Sequence, residues 1–173
     1  QGLNRDDVIG PEYELLRLRR ETDSGLLCEC RNVHLNRRTD IGFLPRESAE
    51  YPRDLAAFFD DAQSASFIDP KRFIKTHDLG LTEGGVPYFV MEHFEGETLR
   101  ALIEKHGPMD PLRVAFIGVE LCRALDLVHA KGITHGALSP DCIAIHHDID
   151  QWTESIKVYD CGCGSLRKKL SEP

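Results

Sequence analysis

The chain has no long hydrophobic run. Its most apolar stretch, "VAFIGVELC" (114–122), is broken by Glu120 and is far too short to span a bilayer. No signal peptide is visible. Positive charge is also in short supply: 21 Lys and Arg stand against 29 Asp and Glu, for a net charge of −8. A nucleic-acid surface needs clustered cations, so that class is excluded. The one basic run, Arg167-Lys168-Lys169, reads as a solvated tail. Repeats and low-complexity segments are absent. The six cysteines, at 28, 30, 122, 142, 161 and 163, lack the dense spacing of a small secreted scaffold. They predict a reducing, cytoplasmic setting with no required disulfide. The chain opens on Gln1 rather than Met, which reads as a processed product or an excised piece.

What is present suits a globular domain. The 173 residues are 41% hydrophobic and 29% charged, enough for one core and two small lobes. Short strands are expected at 13–20, 26–34 and 39–44, separated by the turn-like "TDSG" and "LNRR". Leu55, Phe58, Phe59, Ala62 and Ala65 or Ser66 recur at helical spacing, so a helix is expected over 52–67. Two further strands, 72–80 and 86–94, flank the turn "LTEGG". The character then changes. A short helix over 98–106 is stopped by Gly107-Pro108. Asp110-Pro111 caps a second, running to 131 and apolar on more than one side. Short strands at 142–145 and 155–160 form a final hairpin.

This order, with the phrases "VPYFVMEHFEGETL", "LVHAKGITHGALSPDCIAI" and "KVYDCG", resembles a eukaryotic-like (bacterial-type) serine/threonine protein kinase from about Tyr13 onward. The resemblance implies an α+β fold: a five-stranded antiparallel amino-terminal lobe with one helix (1–94), then a partial helical carboxy-terminal lobe (95–173). It also implies a nucleotide cleft at Gly25, Met91, Glu92, His93 and Phe94, with Met91 guarding its back.

Kinase chemistry is positioning plus electrostatics around a highly charged phosphoryl group. The family's groups for this are replaced here. Its glycine-rich pattern falls on Arg20, Thr22 and Gly25, with Glu21 and Asp23 adding negative charge beside an expected anion. Its third-strand lysine falls on Gly42, and the small residue over the adenine on Asp40. The helix glutamate falls on Asp61. The catalytic loop reads His135-Gly136-Ala137-Leu138-Ser139-Pro140-Asp141-Cys142. The proton acceptor is thus Ala137, the steadying lysine Ser139 and the second metal ligand Cys142. Ala137 cannot accept a proton, and a soft sulfur suits magnesium poorly. Gly136 removes an arginine through which a phosphate could order the site. Asp160 alone keeps a family role, as a weak magnesium ligand or as an ordinary turn aspartate.

The expectation is therefore a pseudokinase: no phosphoryl transfer, ATP and magnesium weak or absent, and a regulatory or scaffolding role. The chain stops soon after the Asp160 turn, short of a full second lobe. The apolar 111–131 helix is then expected to present a face for self-association or for a protein partner. Three alternatives stay open. One is weak ATP binding with residual transfer. Another is a zinc site from Cys28, Cys30, Cys161 and Cys163, since strand residues two apart share a face. The third is a nucleophilic Cys142 or Cys161 acting with His135, a histidine that the resemblance makes a buried, backbone-bonding residue. His146 and His147, on a turn, are expected to face solvent.

Overall fold

The computed structural model describes residues 12–22, 25–148, 153–160 and 162–171. Five strands form one antiparallel sheet: β1 (Tyr13–Thr22), β2 (Gly25–Asn32), β3 (Arg37–Phe43), β4 (Thr76–Leu81) and β5 (Pro87–Glu92), in the order β1-β2-β3-β5-β4. Helix α1 (Pro52–Ile68) is inserted between β3 and β4. Later come β6 (Glu97–Thr98), α2 (Leu99–His106), α3 (Pro111–His129), β7 (Ile143–Asp148), β8 (Thr153–Val158) and α4 (Gly164–Ser171). Strands β6, β7 and β8 form a second, three-stranded sheet.

Two compact units emerge. The first comprises residues 1–59, 76–93 and 166–173; the second comprises 60–75 and 94–165. Period-two alternation sorts the first sheet's side chains to two faces. Cys28, Cys30, Ile41, Phe43 and Val90 make an apolar cluster, joined by Tyr13, Leu26, Val86 and Tyr88. On the opposite face Phe89 meets Phe58 of α1 edge-on and stacks with Phe59, at 4.6 and 6.2 Å between ring centroids. In the second unit, Ala65 and Phe73 pack with Ala124 and Val128 of α3 and Val158 of β8. A neighbouring cluster gathers Leu102, Ile117, Ile143, Ile145 and Ile156.

Local chemistry sets the helix ends. Thr98 accepts a hydrogen bond from the Ala101 amide and starts α2. Asp110 accepts from the Leu112 and Arg113 amides, and Pro111 occupies the first turn of α3. Gly107, at φ +76, ends α2.

Several sequence expectations are corrected. Residues 72–75 are not strand: Phe73 makes only an isolated parallel bridge to Val158 and buries its ring in the second unit's core. The expected final hairpin is a three-stranded sheet, because Glu97 and Thr98 pair with Ile145 and Ala144. The basic 167–169 run lies in α4 rather than in a tail. Of the two histidines, His147 is exposed, but His146 is half-buried with its ring edge-on to Phe94.

Candidate functional site

The sequence-predicted site residues divide between the units. Gly25, Asp40, Gly42, Met91, Glu92 and His93 belong to the first; Asp61, Phe94, Ala137, Ser139, Cys142 and Asp160 belong to the second.

In the first unit, Gly25 sits at φ +130, and a Cβ there would lie 1.9 Å from the Phe43 carbonyl oxygen. Backbone contact with β3, rather than approach to a ligand, accounts for this glycine. Gly42 faces Met91, whose methyl would stand 3.1 Å from an added Cβ. The Thr39 hydroxyl donates to the Met91 carbonyl at 2.5 Å and ties β3 to β5.

Two residues before Gly42, on the same face, lies Asp40, fully buried. Register sets a row across four strands: Arg17 opposite Glu29, Glu29 opposite Asp40, Asp40 opposite Met91. Directly opposed carboxylates repel, and both are buried. Cations surround them. Arg19 donates to Asp40 Oδ2, and the His93 ring Nδ1 lies 2.9 Å from Asp40 Oδ1. Arg17 Nε donates to Glu29 Oε2 at 2.6 Å, and Arg38 stands 3.3 Å from Oε1. Burial holds the Asp40 carboxyl above the usual carboxylate range, against the pull of His93 and Arg19. Burial also opposes ionisation of Glu29, yet the Arg17 hydrogen bond and the charges of His93, Arg17 and Arg38 hold it below that range.

Sequence reading picked out Asp40 and His93 singly but missed this cluster, which also needs Arg17, Arg19, Glu29 and Arg38. The signal was there: Arg17 and Arg19, Glu29 and Arg31, Arg38 and Asp40 are charged pairs two apart on three successive strands. Such pairs share one sheet face.

Cys28 and Cys30 lie on the other face, in the apolar cluster. Burial pushes their thiols up to about 11 and about 12. Thiols held protonated are poor zinc ligands. Among the described residues no three His, Cys, Asp or Glu side chains are grouped to hold a metal. Cys161 lies outside the described residues.

In the second unit the 135–142 loop is built by backbone bonding. His135 is buried; its Nε2 bonds the Tyr159 carbonyl at 2.8 Å, and its Nδ1 faces the Ala137 amide at 3.4 Å. The Tyr159 amide donates to the Cys142 carbonyl at 2.8 Å. Both ring nitrogens therefore hold backbone, which leaves the histidine unsuited to activate a cysteine. Cys142 is fully buried, 3.6 Å from the Ser139 hydroxyl and 3.9 Å from Asp160 Oδ2. Asp160 itself takes φ +58, a conformation aspartate tolerates better than most residues. Gly136, at φ +77, packs against Gly164; a Cβ there would lie 2.5 Å from the Gly164 Cα. Asp61 stands over the next glycine, where a Cβ on Gly162 would meet the Asp61 Cβ at 2.3 Å. Burial and the neighbouring Asp60 push the Asp61 carboxyl up. Phe94 is flanked by His146 and by the Lys157 ammonium, 5.9 Å from its ring centre.

Comparison with known proteins decides the fold. The crystal structure of the Mycobacterium tuberculosis PknI kinase domain matches 94% of this chain with a TM-score of 0.72 at 17% identity, and 64% of that chain is covered. A double mutant of that domain matches at a TM-score of 0.77. The fold is that of a protein kinase domain. Sequence similarity points the same way. The serine/threonine-protein kinase PknB of Mycobacterium leprae is 32% identical over 135 residues, or 76% of this chain, and PknD of Mycobacterium tuberculosis is 29% identical over 138. These kinases are long: the chain spans 21% and 20% of them. No protein-family model matches. No helix among the described residues is long and apolar enough to cross a membrane.

Proposed function

We infer that this kinase-like chain does not transfer phosphate and serves as a regulatory or scaffolding module. The observation that carries this reading is the 135–142 loop. His135 keeps its backbone bonds to Tyr159 and Ala137, while the proton-acceptor, phosphate-steadying and second metal-ligand positions hold Ala137, Ser139 and a buried Cys142. A methyl group moves no proton at any pH. The residues present do not fit a magnesium nucleotide. Asp160 is a single hard ligand with the Cys142 sulfur 3.9 Å from its Oδ2, and Gly42 offers no cation for a phosphate. The buried Asp40, set between Arg19 and His93, argues further against an adenine ring on that face.

Protein contact is the role such a chain retains. The exposed side of α3 carries Leu112, Phe116, Val119 and Leu127, with Leu112 81% exposed. Spacings of three, four and eight residues place them along one flank of the helix. We assign this flank to self-association or to a partner chain.

Calorimetry with ATP, with and without magnesium, on the wild-type chain and on Asp160→Ala tests the reading. No heat in either chain is expected. Magnesium-dependent heat that disappears in Asp160→Ala would overturn the nucleotide-free part. Light scattering of wild type and Leu112→Glu/Phe116→Glu tests the surface: a wild-type assembly that the double variant dissolves is expected, and a monodisperse wild-type monomer would rule out self-association.

A further inference from the structure

The charged cluster of the first unit has the composition of a binding site whose ligand is a side chain. Three guanidiniums and an imidazole converge on two carboxylates, so cations outnumber anions even with His93 neutral. The two acids differ in setting. Glu29 is held by Arg17 and Arg38, both more than half exposed. Asp40 is held by Arg19 and His93, which are only 12% and 10% exposed. Each oxygen of Asp40 takes a different partner, the Arg19 guanidinium from β1 and the His93 imidazole just past the end of β5. Those two strands are not neighbours in the sheet. Asp40 therefore joins them across the face of β3, as a bound oxyanion does between two arms of a protein. Gly42, the next residue on this face, contributes no side chain, and only the Met91 methyl stands close to where its Cβ would be.

We propose that Arg19 and His93, backed by Arg17 and Arg38, form a cradle for a small oxyanion, and that Asp40 fills it from within the chain. The native protein is thus self-ligated here and closed to external carboxylate or phosphate. The cradle needs nothing from the loop of the second unit. Its ligand chemistry is a planar carboxylate first, since that is the group the arms already grip, with phosphate as the larger competitor. A buried guanidinium that loses its partner carries a large penalty. A solution anion that replaces the partner recovers stability by mass action.

The test is rescue of stability. Asp40→Ala removes a carboxylate of formate size. Thermal unfolding of wild type, Asp40→Ala and Asp40→Asn is measured in 100 mM sodium chloride, formate, acetate or phosphate at constant pH. Asp40→Ala is expected to unfold about 3–6 °C higher in formate than in chloride, the rise that about tenfold saturation gives a chain of this size. Wild type and Asp40→Asn, whose cradles are filled, show no such difference. Adding Arg19→Met to Asp40→Ala abolishes the gain. A gain in phosphate as well as formate shows a cradle that accepts tetrahedral anions; a gain in formate alone shows one limited to carboxylates. The proposal fails if wild type and Asp40→Ala respond equally, or if the gain survives Arg19→Met. It fails too if Asp40→Ala stays unfolded in every anion.

Discussion

The two units have handled polar groups in opposite ways. The first has put charge where an apolar residue is expected, burying Asp40 and Glu29 and surrounding them with cations. The second builds a loop with uncharged residues beside one buried histidine, holding His135 between backbone groups near Ala137 and Cys142. The contrast separates fold from chemistry. Hydrogen bonds between the buried His135 ring and backbone groups of Tyr159 and Ala137 hold the loop's shape. The sheet face depends on ionic balance that no ligand supplies. A side chain can thus be lost from a site without cost to the fold, or recruited into it until the fold depends on it.

The largest effect is expected at Asp40. Asp40→Ala removes the buried carboxylate that Arg19 and His93 hold and lowers stability by about 3–5 kcal/mol in a urea titration at neutral pH. The corresponding change in the loop, Ala137→Asp, is expected to shift stability by far less and to leave phosphotransfer absent in a radiolabelled-ATP assay. If both substitutions cost the same, the contrast between the units collapses. Next is His135→Ala, which unpairs the buried Tyr159 carbonyl and costs about 1–3 kcal/mol by the same titration.

Acid sharpens the contrast within the first unit. Glu29 is held below its ordinary value of 4.5, so its stabilisation is full above that pH and is lost as pH falls through the folded value. Asp40 is raised above its ordinary 3.8, so the fold gains from its proton; that contribution is lost as pH rises through the folded value. Stability measured from pH 3 to 7 should therefore fall less steeply toward acid in Glu29→Gln than in wild type. It should fall more steeply in Asp40→Asn. The smallest effect concerns the thiols. In a Cys161→Ser background at pH 8, the exposed Cys122 should react with a disulfide reagent while Cys28 and Cys30 stay silent until unfolding, as burial holds their thiols at about 11 and about 12.

Much of the fold was legible in the sequence because its signals are local. The helical spacing of Leu55, Phe58 and Ala62, the Asp110-Pro111 cap and the alternation around Phe89 and Met91 each depend on near neighbours. What escaped depends on distant partners. Phe73 and Ile74 look like strand, but a single bridge to Val158 is all their backbone makes there. The two-residue β6 has no pattern of its own and exists through β7. The charges of β1, β2 and β3 have no visible partners along the chain; strand register aligns them. In the loop, the sequence offered a resemblance position by position, but it gave no reason why Gly136 must lack a side chain.

That reason bears on which positions tolerate a side chain. At Gly42 an added side chain meets only the end of the flexible Met91. Gly136 and Gly164 are different. Each has the other's backbone where its own Cβ would go, and Gly136 also sits at positive φ. No single substitution at either position is accommodated while the other stays in place. Side chains are excluded from both positions together, so the backbone contact works as a lock: a Cβ added at one glycine must displace the other's backbone.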